Sequence, residues 1–260
     1  MSPNLGAAGI IVDCVPSACH NFCGTRHLYE TAMDVLGYPG ERQNLRVGAQ
    51  LPEKTARRLA TALRPISAER RVARVIDEFG RETVITTSFG PTSAVLLHMV
   101  SRVCPGIRVI HVRHGHETPG TLRFAEQCRK RFPIDLRIYE APRLPVPAWD
   151  TAEFAAFCRA IKVEPMQRAL AQEHAGIWFA GLIHHETVER RRMLIAQKRL
   201  GAMAVYPILD WCLQDAILYC ESFDLGLNSD YFDPCKGPDQ KLECGLHATA
   251  QHHAAGTGRA

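Results

Sequence analysis

Thr83-Val84-Ile85-Thr86-Thr87-Ser88-Phe89-Gly90-Pro91-Thr92-Ser93-Ala94-Val95-Leu96-Leu97-His98-Met99-Val100 decides how the rest of the chain is read. It opens as a short β-branched run, turns through Ser88-Phe89-Gly90-Pro91, and continues with apolar residues at helical spacing. Val95, Met99 and Val103 fall on one stripe of that helix, with Leu96 and Val100 beside it. The spacing therefore predicts strand, tight loop and helix in succession. Pro91 suits a first helical turn, where no amide hydrogen is needed, and Gly90 lets the backbone pass close to a ligand. Open amides at a helix start, with the hydroxyls of Ser88 and Ser93, make a place for an anion. The same pattern also occurs as plain architecture, so spacing alone leaves both readings open.

Working outward, the alternation repeats. Ahead of the stretch, Pro52 to Phe79 has helical periodicity, and Ser67 can cap its second half although Arg70 completes no capping box. After it, Cys104-Pro-Gly breaks the helix, and Ile107–Val112 reads as a buried strand ending at Arg113-His114-Gly115-His116. A helix through Leu122, Phe124 and Cys128 follows, then a strand over Ile134–Tyr139 and a Pro-rich loop (Pro142, Pro145, Pro147). The next helix runs from Ala152 toward Lys162, with strands expected at Ile177–Leu182 and Met203–Pro207 and a helix between Arg192 and Met203. Strand–helix alternation of this kind implies an α/β fold, a Rossmann-like parallel sheet of about five strands with helices on both faces. Ligands of such sheets sit beyond the carboxyl ends of the strands, where Ser88–Ser93 and Arg113–His116 both fall. Residues 1–60 read as an N-terminal extension, partly helical or disordered, 61–225 as the α/β domain, and 226–260 as a C-terminal tail.

Composition narrows the function classes. At 260 residues with 46% hydrophobic residues, the chain can build one ordinary core. The formal net charge of +4, with basic and acidic residues intermixed, suits a small anionic ligand and argues against nucleic acid. No run of about 18 apolar residues points to a membrane span, and no basic-then-apolar leader points to export. The expected location is the cytoplasm. There, ten cysteines read as thiols, metal ligands or catalytic groups before disulfides. Cys14, Cys19 and Cys23, near His20, match none of the common zinc spacings, which favours free thiols over a ligand set. His111, His114 and His116 lie close together, and solvated loop histidines are expected there rather than a metal site.

Ser88-Phe89-Gly90-x-x-Ser93-Ala-Val-Leu-Leu-His98 resembles the modified phosphate loop of the adenylyl-sulfate and phosphoadenylyl-sulfate reductases. These belong with the ATP pyrophosphatases to the adenine nucleotide alpha-hydrolase type of fold. Thr92 stands where the ATP users carry Asp. Lys162-Val-Glu-Pro, Ile177-Trp-Phe-Ala-Gly181-Leu, Pro207-Ile-Leu-Asp210-Trp and Glu243-Cys244-Gly-Leu-His247 resemble further elements of the same family, in order. The resemblance spans roughly residues 67 to 247. It implies that Cys244 is the nucleophile, attacking the sulfur of a sulfonucleotide to give a thiosulfonate that thioredoxin or glutaredoxin resolves. It also implies substrate-binding roles for Ser88, Phe89, Gly90, Ser93, Gly115, Lys162, Gly181, Arg190 and His247.

Four departures stand out. Where the family usually reads Val-Asp-Thr-Gly followed by Pro-Glu-Thr, this chain has Val112-Arg113-His114-Gly115 and then Pro119-Gly120-Thr121. Its usual Gly-Leu-Arg-Arg is Gly181-Leu182-Ile183-His184, so two permanent charges are absent. The cysteine pairs of cluster-bearing relatives become Phe157-Cys158 and Phe232-Asp-Pro-Cys235. A four-iron cluster takes four thiolates, so no tightly bound cofactor is expected; Cys158 and Cys235 are what remains of its ligands. The expected reaction is reductive cleavage of adenylyl sulfate or its 3′-phosphorylated form to sulfite and AMP or PAP, in sulfate assimilation. Two alternatives stay open: an ATP-pyrophosphatase-type adenylylating enzyme, and a degenerate paralogue that binds nucleotide without turnover. A homo-oligomer is compatible with all three.

Overall fold

Strand β1, Thr83–Thr86, is buried along its whole length because it runs through the middle of a six-stranded sheet. The computed structural model describes residues 53–243 and 245–247, so Cys14, Cys19, Cys23 and Cys244 lie outside the described residues. On one side β1 pairs in parallel with β2, Ile107–Arg113, which pairs in parallel with β3, Ile134–Glu140. On the other it pairs in parallel with β4, Ile177–Phe179, followed by β6, Ala202–Val205, and the antiparallel β5, Ala196–Arg199. The order β3-β2-β1-β4-β6-β5 reverses direction between β1 and β4. That reversal leaves a crevice at the carboxyl ends of these two strands, the switch point where open α/β sheets take their ligands.

The helices follow from their apolar stripes. Helix α1, Glu53–Leu63, buries Ala56, Leu59, Ala60 and Leu63, and α2, Ala68–Phe79, is capped by the Ser67 hydroxyl accepting from the Arg70 amide. Helix α3, Ser93–Val103, buries residues on nearly every side, as a helix wrapped by its own core must. It begins two residues after Pro91, which stands in the preceding turn rather than in the helix. Helix α4, Pro119–Arg131, starts with Thr118 accepting from the Thr121 amide and ends on three basic residues, charges that suit a helix C-terminus. Helices α5, Ala152–Cys158, and α6, Glu164–Gln172, are one continuous rod joined by a π turn over Arg159–Val163. Helix α7, Leu213–Ser222, packs on α3. One large core unites β1, β2, β4, β6 and the stripes of α1 to α4. A small separate cluster joins Phe154, Phe157, Cys158, Ile161 and Cys235.

The expected parallel α/β sheet is present, with one strand more than expected. The helix expected between Arg192 and Met203 is replaced by β5 and a hairpin into β6. Its two central residues, Leu200 and Gly201, have φ of 53° and 83°, the double left-handed conformation of the tight turn that matches strand twist. Leucine is a poor resident of that region, which is why Leu-Gly does not announce a hairpin. No helix among the described residues is long and apolar enough to cross a membrane.

Candidate active site

The loop after β1 is held open by unusual backbone. Phe89 has φ of 54° although it carries a large side chain, and three supports keep it there. Its amide donates to the Thr87 hydroxyl at 2.9 Å, its fully buried ring meets the edge of His111 at 4.9 Å, and its carbonyl accepts from the Asn228 side chain at 2.7 Å. His111 in turn donates from Nδ1 to the Thr87 carbonyl at 3.0 Å; burial pushes this imidazole down and keeps it neutral. Phe89 thus borders the loop with its backbone, while its side chain belongs to the core. Ser93 spends its hydroxyl on the Gly90 carbonyl. Ser88 meets the Tyr231 hydroxyl at 2.9 Å, and a Cβ on Gly90 would stand 3.8 Å from both Ser88 Oγ and the Tyr231 ring.

At the end of β2, Arg113 turns outward to an exposed ion pair with Glu140. His114 is buried rather than solvated, and burial pushes it down to about 4 against the pull of Glu117. The Glu117 carboxylate accepts from the amides of His114 and Gly115 at 2.8 and 2.9 Å. Burial works to raise Glu117, but His114 and these amides hold it below its usual range. Gly115 has φ of 78° and the Arg143 stem packed over it. The described residues hold no cluster of three or more His, Cys, Asp or Glu side chains fit for a metal ion.

Lys162 reaches the site because the helix bulges beneath it. Pro165 has no amide to return to Ile161, and the chain bridges the gap by sending the Glu164 amide to the Arg159 carbonyl, one residue further than an α-helix would. Such bulges re-aim side chains at functional sites. Lys162 is 6% exposed and paired with Asp233, which is 1% exposed. Burial works to raise the Asp233 carboxyl, but Lys162 and the Cys235 amide hold it down. Since Tyr231 also donates to Asp233 at 3.3 Å, a polar chain runs Ser88–Tyr231–Asp233–Lys162 from the loop to the bulge.

Beyond β4, Gly181 lets the chain pass close to α3, since a Cβ there would stand 3.6 Å from Leu96. Ile183, at the usual arginine position, is buried in the core. Arg190 is 3% exposed and grips Glu243 through Nε at 2.7 Å and Nη2 at 3.2 Å, with Glu186 on Nη1. Thr187 donates its hydroxyl to the same Glu243 carboxylate at 2.8 Å. Burial works to raise Glu243, but Arg190 outweighs it and keeps the carboxylate ionised. Four residues on, His247 is buried with its ring centroid 5.6 Å from Trp178 and 5.7 Å from Tyr206. Burial pushes it down to about 3, so at neutral pH the seated imidazole carries no charge. Glu243 and His247 are thus both fastened, and in sequence they flank Cys244.

The positions that would serve an iron–sulfur cluster supply two sulfurs. Cys158 and Cys235 are buried in mutual hydrogen-bond contact, which together with burial drives the Cys235 thiol far up. Phe157 fills the space beside them and Phe232 faces solvent. This donor set does not fit a four-thiolate cluster.

The structure joins Ser88 to Lys162 through Tyr231 and Asp233, and Arg190 to the segment flanking Cys244. Gly115 and Gly181 shape backbone, and Ser93 closes its own loop. Tyr231, Asp233, Asn228, Thr187 and Glu243 escape sequence reasoning. Two of them had a signal: Asp233 lies inside Phe232-Asp-Pro-Cys235, which draws attention only for its thiols, and Glu243 adjoins Cys244.

Residues 82–235 match the family model described as the phosphoadenosine phosphosulfate reductase domain. A curated phosphoadenosine 5′-phosphosulfate reductase from Shewanella oneidensis is 34% identical over 179 residues, covering 65% of this chain and 72% of the relative. One from Thiocapsa roseopersicina is 34% identical over 174 residues, covering 63% and 72%. Among solved structures, the phosphoadenylyl-sulfate reductase of Candida auris in a phosphate complex aligns with a TM-score of 0.58 at 19% identity, covering 69% of this chain and 91% of that one. At that identity the structural match speaks for the fold.

Proposed function

The chain belongs to the phosphoadenosine phosphosulfate reductase family, and from that membership we propose that it releases sulfite from an adenine sulfonucleotide through a thiosulfonate on Cys244. The observation carrying this reading is the fastening of the two residues that flank Cys244 in sequence, Glu243 on Arg190 and Thr187 and His247 against Trp178 and Tyr206. The Cys244 thiolate attacks the sulfur of the sulfo group, an S–S bond forms, and the S–O bond to the nucleotide phosphate breaks. The electron pair leaves with the phosphate, as AMP or PAP. A thiolate of thioredoxin then attacks Cys244 Sγ, sulfite departs, and the second thioredoxin thiol resolves the mixed disulfide.

The roles divide by position. The loop amides and Ser88 take the nucleotide phosphate. Lys162 and Arg190 supply positive charge for the transferred group, each held in place by its carboxylate partner, Asp233 and Glu243. His247 seats the tail. The Cys128 and Cys220 thiols, pushed up to about 12 and about 11 by burial, are poorly placed to act as nucleophiles. The reaction proceeds without a four-iron cluster, and thioredoxin or glutaredoxin meets Cys244 when the tail lifts.

Burial of Ile183 at the arginine position favours one second reading, in which nucleotide binds without turnover. Incubation with adenosine 5′-phosphosulfate or its 3′-phosphorylated form, with no reductant, separates the two. A sulfite-sized adduct on the Cys244 peptide, released by thioredoxin and absent in Cys244→Ser, is the expected result. Binding without any adduct establishes the second reading, and an adduct on Cys158 or Cys235 refutes the assignment of the nucleophile.

A further inference from the structure

Gly120 stands where the resemblance leads one to expect the glutamate of Pro-Glu-Thr. A Cβ at this position would overlap the carboxylate of Asp230. The space left by the missing side chain is thus filled by an acid arriving from 110 residues further along the chain, which accepts from the Gly120 amide at 2.8 Å. The backbone of Asp230 is fastened as well. Its carbonyl accepts from the hydroxyls of Thr118 and Thr121, and its amide donates to Asn228 Oδ1 at 3.1 Å. Asn228 binds Thr121 Oγ1 at 2.9 Å and the Phe89 carbonyl at 2.7 Å. The adjoining residue, Tyr231, lies over Ser88 and Gly90, and two residues further Asp233 reaches Lys162.

We infer that Asp230 is a positioning residue: by fastening segment 228–233 to the start of α4, it sets where Tyr231 and Asp233 stand against the phosphate loop and Lys162. Its catalytic consequence rests on the sulfonucleotide reading; the fastening itself does not. The competing role is a plain helix cap, a carboxylate near the positive end of α4. The two roles separate by location: a cap protects the first turn of α4, whereas a fastening protects 228–233.

The full-length chain is compared with Asp230→Ala and Asp230→Asn. Asp230 is exposed at the rim, so the variants retain the fold. Asp230→Ala is expected to speed amide exchange of peptide 228–236 by about tenfold or more. With adenosine 3′-phosphate 5′-phosphosulfate and reduced thioredoxin, it raises KM about tenfold while kcat changes less. Asp230→Asn, which keeps an acceptor for the Gly120 amide, falls between Asp230→Ala and the parent on both readouts. Wild-type exchange of 228–236 in Asp230→Ala, with faster exchange confined to the first turn of α4, would show a cap and nothing more and overturn the inference. A parent chain with neither adduct nor turnover refutes the sulfonucleotide reading alone, and exchange of 228–236 still decides the fastening.

Discussion

Arg71 and Arg190 are both buried guanidiniums gripping carboxylates, and they do opposite work. All five N–H donors of Arg71 are engaged: Nε on the Leu63 carbonyl, Nη1 on Pro207 O and Asp210, Nη2 on Arg64 O and Asp210, at 2.6 to 3.1 Å. Three of those acceptors are carbonyls built into the α1–α2 turn and the loop after β6, which cannot turn away. Arg190 instead holds the side-chain carboxylates of Glu243 and Glu186, and a carboxylate on a tail can be exchanged for another anion. One guanidinium is a rivet and the other a latch. The difference lies in the acceptors, since the two cations are chemically the same.

The sharpest way to break this comparison is Arg71→Ala. It strands buried carbonyls, while the half-exposed Asp210 carboxylate stays solvated, and is expected to lower unfolding free energy by about 2–4 kcal/mol. Chemical denaturation measures the loss; a cost under about 1 kcal/mol would mean that Arg71 is no rivet. Arg190→Gln is expected to cost only about 1 kcal/mol of global stability, because Glu243 can swing into water. The same change should slow thiosulfonate formation by at least about a hundredfold, scored by mass spectrometry in single turnovers. A large stability loss with intact adduct formation would reverse the two roles. The smallest effect concerns pH. Docked His247 titrates at about 3, against 6.5 when free, so the released tail takes a proton below about 6.5 that the docked one refuses. Docking is therefore at full strength above pH 6.5 and weakens by up to about tenfold per unit on acidification. Glu243, held ionised by Arg190, adds to the same trend below the free-carboxylate value of 4.5. Amide protection of peptide 241–247, corrected for intrinsic exchange, should fall between pH 7 and 5. Flat protection would mean that His247 is no part of the latch.

What the sequence discloses is what is local. The β-branched run of β1, the stripe of α3 and the Ser67 cap each rest on residues a few positions apart, and each is where the spacing places it. The phosphate loop is legible as a loop, but the support under Phe89 is not, because His111 and Asn228 come from 22 and 139 residues away. Lys162 is legible by resemblance, while its partner Asp233, 71 residues on, is hidden beside a cysteine that draws attention for another reason. The β5–β6 hairpin is missed because Leu200 adopts a conformation its side chain disfavours.

The π turn under Lys162 has a consequence for how much one rod can do. It is a helix carrying one residue more than its hydrogen-bond ladder uses, which shifts everything after it by about 100° around the axis. Ahead of the extra residue, Phe154, Phe157 and Cys158 face the small cluster around Cys235. Behind it, Met166, Ala169 and Leu170 face the main core. At about 100° per residue, an uninterrupted helix of this sequence would set these two stripes about 120° apart, and the π turn brings them back to one side of the rod. Removing one residue from 159–163 would leave a plain helix with both stripes still in phase, so what the extra residue adds is the aim of Lys162.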